Sequence, residues 1–177
     1  MSGMLDYLCS DTQGARLLRQ VFVIFVVPML NPDGVIYGNN RCSLAGVDLN
    51  RQWKTPLRNT HPTIWSLKNF ISAQKRIGRE VYMYIDLHGH SRKQNVFMYA
   101  CDEKKARAKP QVRAFPKFLS NHNVGKKYVS FNDCSFHVRK GRESTARVVV
   151  AKDLGIQMSF TVEATFCGVN YGPLKHC

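Results

Sequence analysis

With 177 residues, 44% of them hydrophobic and 21% charged, the chain is long enough for one domain with a real core and has an ordinary globular composition. Its formal net charge of +14 suits nucleic acid, a membrane surface or an acidic protein as partner, although lysines in such number most often form a solvated face. No apolar run approaches the length of a membrane span, and there is no repeat or low-complexity tract.

In chain order, residues 3–19 have helical spacing through Met4, Leu5, Leu8, Ala15, Leu17 and Leu18. Residues 20–28, QVFVIFVVP, are uniformly apolar and β-branched, which predicts a central strand covered on both faces. NPDG at 31–34 is a turn signal, because proline presets φ and glycine tolerates positive φ. A polar loop follows to about Leu57. Residues 61–77 predict a helix with Ile64, Trp65, Leu67, Phe70 and Ile71 inward. Residues 81–87 predict a buried strand, with His88 and His90 on the loop after it, and residues 96–99 predict another. Residues 113–121 read as helical, and residues 147–151 and 158–166 as strands. Strands alternating with helices predict an α/β fold, a mostly parallel central sheet with helices on both faces. In such sheets ligands bind at the carboxyl ends of strands, where His88 lies.

Much of the positive charge lies between Asp102 and Lys152, at Lys104, Lys105, Arg107, Lys109, Arg113, Lys126, Lys127, Arg139, Lys140 and Arg142. The cysteines at 9, 42, 101, 134, 167 and 177 follow no C-x-x-C spacing. The opening MSGMLDYLCSDTQ lacks the basic start of a signal peptide, so they read as free thiols of a reducing compartment.

Several side chains are candidates for chemistry. Residues 37–53, YGNNRCSLAGVDLNRQW, gather Asn39, Asn40, Arg41, Asp48, Asn50 and Arg51 on one polar loop. Two arginines and an asparagine there could bind a free carboxylate bidentately, or Arg51 pairs with Asp48. Glu163 sits in the middle of an apolar strand, so it is paired, protonated or functional, and a raised pKa would suit a general base. His88 is either a metal ligand or a strand-end histidine bonded to backbone. An H-x-H pair with His90 is a rival, weakened by Gly89 between them. A Ser-His-Asp arrangement through Asp86 lacks a nucleophile turn.

Taken together, VVPMLNPDGVIYGNNRCSLAGVDLNRQW, DLHGHSRKQNVFMYACD, GRESTARVVVAKDLGI and SFTVEATFCG closely resemble the cytosolic carboxypeptidases. This is the branch of the zinc carboxypeptidase superfamily that removes glutamates from tubulin tails. The resemblance covers nearly the whole chain and is weakest over residues 103–129. It implies that His88 is a zinc ligand at a strand end and Glu163 the base that activates the zinc-bound water. It implies that Asn50 and Arg51 clamp the terminal carboxylate, and that Arg41 polarises the scissile carbonyl. In the wider superfamily the segment before the general-base strand lines the pocket for the departing residue. Arg147 is the preferred candidate there, ahead of Lys140 and Arg142, with a surface pair to Glu143 as its alternative.

The resemblance also implies a Zn2+ cofactor, polyglutamylated or glutamate-ending partners such as tubulin, and a cytoplasmic, microtubule-associated location. The family takes its first two zinc ligands from an H-x-x-E motif. No histidine here has a glutamate three residues later: His61 meets Ile64, His88 meets Ser91, His90 meets Lys93, His122 meets Gly125, and His137 meets Lys140. The expectation is a partial catalytic domain over residues 1–177, lacking that upstream motif and a C-terminal helix, with one of three zinc ligands. Hydrolysis by this stretch alone is not expected. The alternatives are an inactive remnant that binds acidic tails and, on charge alone, a basic nucleic-acid binder.

Overall fold

The computed structural model describes residues 2–102, 110–171 and 175. Of the basic residues named above, Lys104, Lys105, Arg107 and Lys109 lie outside them, as does Cys177. Two compact units divide the chain, Met1–Leu30 and Asn31–Cys177.

The first unit holds α1 (Ser2–Cys9) and α2 (Gln13–Val21). The Thr12 hydroxyl caps α2 by accepting from the Ala15 amide, satisfying an amide that the first turn leaves open. The Arg19 guanidinium donates to the Leu8 and Ser10 carbonyls, closing the turn between the helices. The predicted central strand over residues 20–28 does not form. Its first two residues finish α2, and residues 22–27 carry no assigned strand and are exposed, Val23 at 73%. The apolar run signals surface that favours burial, but a strand also needs a ladder with a neighbouring strand, and among the described residues the assigned sheet does not include this run.

The second unit is built on three strands, β1 (Met83–His90), β2 (Val96–Tyr99) and β3 (Met158–Thr165), in the order β1-β3-β2. β1 runs parallel to β3 and β2 antiparallel to it. The sheet is therefore mixed and small rather than mostly parallel. β2 follows β1 after a short connection, which allows only an antiparallel return. Helices cover both faces, as expected. α5 (Pro110–Asn121) packs on one side, where Met98, Ala100, Val112 and Phe160 form a buried cluster with Phe115 and Leu119. α6 (Ala146–Lys152) packs on the other.

α6 corrects a second expectation. Residues 147–151 form a helix, not a strand, and Ala146–Ala151 are buried throughout. A short apolar run has no periodicity that separates a buried strand from a buried helix. The third correction concerns β1, which continues to His90. His88 and His90 lie within the strand because the ladder to β3 extends to His90 opposite Thr165. NPDG opens α3 (Pro32–Tyr37), with Asn31 as its cap and Pro32 at its first position. The helix predicted over 61–77 is α4 (Pro62–Arg76), with Ile64 and Ile71 buried. The five described cysteines are free thiols, and no helix among the described residues is long and apolar enough to cross a membrane.

Phe160 is fully buried at the centre of β3, whereas Phe166, just beyond its end, is 78% exposed. Phe160→Ala is expected to lower unfolding stability by about 3–5 kcal/mol, and Phe166→Ala to stay within about 0.5 kcal/mol of the parent. Urea unfolding of the two variants checks the contrast.

Candidate active site

The strand register decides which side chains meet. His88 stands opposite Glu163 and Asp86 opposite Thr161 across the parallel pair. Phe97 stands opposite Glu163 and Tyr99 opposite Thr161 across the antiparallel pair. Because side chains alternate along a strand, Asp86, His88, Thr161, Glu163, Phe97 and Tyr99 share one face of the sheet. That face is the one α6 covers.

On it the His88 imidazole Nε2 and the Asp86 Oδ2 are 2.8 Å apart. This hydrogen bond raises the His88 pKa, and burial opposes the rise. His90, two residues on, is held differently. Its Nδ1 accepts from the Arg92 and Lys93 amides, and its ring meets Phe97 edge-on at 5.2 Å. The two histidines thus share a face without sharing a role. Glu163 is half-buried. Burial pushes its carboxyl above the usual range, and the neighbouring His88 and His90 pull it down.

The polar loop folds into a cluster around Asp48. Asp48 caps the single turn Leu49–Arg51 by accepting from the Asn50 amide at 2.9 Å. Its other oxygen lies 3.1 Å from Arg41 Nε and 3.8 Å from Arg51 Nη2. Arg51 therefore does approach Asp48, and a second donor of the same guanidinium reaches the Asn50 carbonyl at 2.9 Å. The Asn50 side chain ties this loop to two other elements. Its Oδ1 accepts from the Ala146 amide at the start of α6, at 2.9 Å. Its Nδ2 lies 3.5 Å from His88 Nε2.

Arg147 follows Ala146, so the same tie fixes its position. The residue is only 8% exposed, and its guanidinium lies over the Tyr99 ring at 5.3 Å. Its Nε has no hydrogen-bond partner among the described residues. Burial lowers its pKa, while Cys101, Tyr99 and Glu163 act in the opposite sense. No surface pair with Glu143 forms. The Arg147 carbonyl accepts from Ser159 Oγ at 2.9 Å, locking α6 onto β3.

All six candidates, Arg41, Asn50, Arg51, His88, Arg147 and Glu163, thus gather around one face and its rim. Of three supporting partners, Asp86 as an orienter of His88 and Asp48 as a partner of Arg51 stand among the alternatives read from the sequence, and Tyr99 does not. Asp86 orients His88, Asp48 gathers the two exposed-loop arginines, and Tyr99 supports Arg147. Asp86 and Tyr99 carry a signal in strand alternation, which places them on the same face as their partners. The arrangement combines a half-buried carboxylate, an imidazole oriented by a second carboxylate, and three guanidinium groups able to hold anions.

A histidine that binds a metal through one nitrogen commonly engages a carboxylate through the other. His88 fits this description, since Nε2 meets Asp86 and Nδ1 has no hydrogen-bond partner among the described residues. The described residues fit one such ligand position. They contain no group of three or more His, Cys, Asp or Glu side chains that could hold a metal by themselves.

The sheet thus carries a half-buried carboxylate, an imidazole and three guanidinium groups at one rim. The sequence profile of the zinc carboxypeptidase family matches residues 1–174, and the chain belongs to that family. It is similar to cytosolic carboxypeptidase 3 of Mus musculus, at 51% identity over 97% of this chain and 17% of that protein. It is similar also to cytosolic carboxypeptidase 2 of Danio rerio, at 48% identity over 99% of this chain and 24% of that protein. The chain thus spans less than a quarter of the length of these relatives. Among solved structures, a metallo-carboxypeptidase from Pseudomonas aeruginosa, in complex with (2-guanidinoethylmercapto)succinic acid, shares the fold with a TM-score of 0.76. It is 23% identical, over 98% of this chain and 45% of that one. One from Burkholderia cenocepacia gives 0.64 at 22% identity, over 90% of this chain and 40% of that one.

The raised Glu163 pKa carries a stability consequence. A carboxyl with a raised folded pKa holds its proton more tightly folded than unfolded. Its contribution is present at low pH and is lost as pH rises from the ordinary carboxyl range through the raised value. Glutamine cannot ionise. Glu163→Gln is therefore expected to match the parent in acid and to be the more stable chain at neutral pH. Urea midpoints across pH test this, and a difference independent of pH would contradict it.

Proposed function

We propose that this chain carries the substrate clamp and general base of a cytosolic metallocarboxypeptidase acting on acidic chain ends, with glutamate-rich tails such as those of tubulin as substrates. The observation that carries the reading is Arg147: a residue only 8% exposed, whose guanidinium Nε has no hydrogen-bond partner among the described residues. Buried donors without partners are costly, so such a group is best explained by an anion it receives. A glutamate side chain at the departing position would supply that anion through a charge-assisted contact.

The other residues fall into complementary roles. Asn50 and Arg51 bind the terminal carboxylate, and Arg51 would exchange its long 3.8 Å contact with Asp48 for the ligand. Arg41, held 3.1 Å from Asp48 with its side chain 60% exposed, swings to the scissile carbonyl and stabilises negative charge as it develops. Glu163 takes a proton from the attacking water, a role that its raised pKa suits. His88, oriented by Asp86, is one zinc ligand, with the remaining ligands supplied by parts of the protein beyond these residues. Bound zinc would supply Lewis acidity and a lowered pKa for water. The names of the relatives favour a cytoplasmic location, and association with microtubules follows only if tubulin is the substrate.

The alternative is a chain that binds acidic tails without cutting them. It draws on the single ligand position among the described residues. Zinc titration of the full-length protein separates the two: a closed set of three ligands binds tightly, and one ligand does not. In a zinc-binding form of the protein, His88→Ala is expected to lose both metal and turnover, and His90→Ala to keep the metal. Glu163→Gln should keep metal and substrate binding while turnover collapses. The reverse histidine result, or near-normal turnover of Glu163→Gln, would overturn these roles.

Arg147→Ala should lower the ratio of kcat/KM for a glutamate-ending peptide to that for an alanine-ending peptide, by about 2–5 kcal/mol in transition-state binding. An unchanged ratio that instead moves with Lys140→Ala or Arg142→Ala would shift the pocket to those residues.

A further inference from the structure

A second cleft lies beside β2, where Val129 bridges Val96 and α5 contributes to the lining. Its volume is about 480 Å³, and Asn95, Lys117, Lys126, Asp133, Asn170 and Tyr171 are among the residues that line it. Its floor is built rather than incidental. Asn95 is 2% exposed and adopts φ +69°, a left-handed conformation uncommon outside glycine and best tolerated by asparagine. The Asn95 Nδ2 donates to Asn170 Oδ1 at 3.0 Å and to Asp133 Oδ2 at 3.4 Å, and its Oδ1 accepts from the Asn170 amide at 3.0 Å. Beside this floor the Tyr171 hydroxyl is buried and has no hydrogen-bond partner among the described residues.

The walls are basic. Lys117, on α5, lies over the Phe131 ring at 5.0 Å. Lys126 stands on the turn Gly125–Lys127. Lys93, just outside the lining, approaches Asp133 at 3.9 Å and lies over Phe97 at 4.8 Å. Phe97 is the register partner of Glu163. The Asn95 carbonyl accepts from the Thr165 amide at 3.2 Å, and Thr165 lies two residues beyond Glu163 on β3, about 7 Å along the strand. An extended peptide with its scissile bond at Glu163 would cross that distance in about two residues.

We propose that this cleft is a second anchoring subsite for an acidic peptide, holding residues upstream of the bond to be cut. The proposal rests on the reading of the site given above. The mixed lining favours a peptide. Lys117 and Lys126 suit glutamate carboxylates, Asp133 suits a backbone N–H, and the unpartnered Tyr171 hydroxyl can donate or accept. A phosphodiester backbone has no donor to offer Asp133.

The test compares di-glutamate and hexa-glutamate binding to the full chain by calorimetry at fixed ionic strength. The double variant Lys117→Ala/Lys126→Ala should weaken hexa-glutamate about three- to tenfold, the size expected of two solvent-exposed ion pairs, and leave di-glutamate unchanged. Tyr171→Phe should weaken hexa-glutamate alone. Arg147→Ala should weaken both peptides. A control that removes two exposed charges elsewhere, Lys54→Ala/Arg76→Ala, should change neither.

If the double lysine variant leaves hexa-glutamate binding intact while Arg147→Ala weakens both peptides, the cleft is not a subsite and the reading of the site stands. If Arg147→Ala changes neither peptide, that reading fails, whatever the lysines do. Equal weakening by the control pair would reduce the cleft to general charge and overturn the proposal. So would tighter binding of a single-stranded oligonucleotide that the lysine variant abolishes.

Discussion

The parallel register of β1 and β3 sets His88 beside Glu163 and Asp86 beside Thr161, and the site has no other means of bringing these groups together. The period of a strand is two residues, so a slip by one would send Glu163 into the α5 core and Phe160 out to α6. Phe160 resists that slip, because it is fully buried among Met98, Ala100 and Val112. The apolar face thus fixes the polar one. β2 adds a second constraint by pairing with β3 on its other side, which brings Phe97 and Tyr99 to the same face as Glu163. Packing on one side of a three-stranded sheet therefore determines chemistry on the other.

The loop and helix contributions attach to this frame through few contacts. Asn50 is the joint, reaching Ala146 with one side-chain atom and His88 with the other. Leu49 and Trp53 flank it and are buried, so the loop is anchored by apolar side chains on both sides of its polar centre. Trp53 also hydrogen-bonds through its amide to the Ser144 carbonyl, just ahead of α6. This geometry gives each arginine a different freedom. Arg41 and Arg51 share Asp48 at a partly exposed rim, where ion pairs are weak and easily exchanged for a ligand. Arg147 lies under cover with an aromatic ring as its neighbour, where exchange with water is denied.

How far the sequence discloses this depends on the range of the contact. α4 and β3 follow from local patterning, since helical spacing and a β-branched apolar run each signal their own element. The extent of β1 does not, because Gly89 weakens a strand locally and only the ladder to β3 carries it to His90. α6 is misread as a strand because VVVA is buried all round, and burial on every side erases the period that distinguishes the two structures. Residues 20–28 are misread for a related reason: composition reports an appetite for burial and not whether a neighbouring strand is there to pair. The contacts that assemble the site span 38 positions from Asn50 to His88 and 96 from Asn50 to Ala146. No spacing rule spans such separations. The resemblance to a family nominates these residues, and the fold shows why they meet.

Arg147 and Glu163 show what the arrangement costs the folded chain. Burial works against the charged form of both, lowering one pKa and raising the other. They partly compensate, since each favours the charged form of the other. Neither forms a short ion pair with the other, which would satisfy both and leave nothing for a ligand. Stability must then come from elsewhere, and the six consecutive buried residues Ala146–Ala151 supply apolar burial around the very residue that is penalised. A chain selected for stability alone would replace Arg147 with an aliphatic residue. A buried cation inside an otherwise apolar helix, beside a sheet face that carries a half-buried carboxylate, is a local cost to folding, which is the physical basis for the proposed anion-binding role.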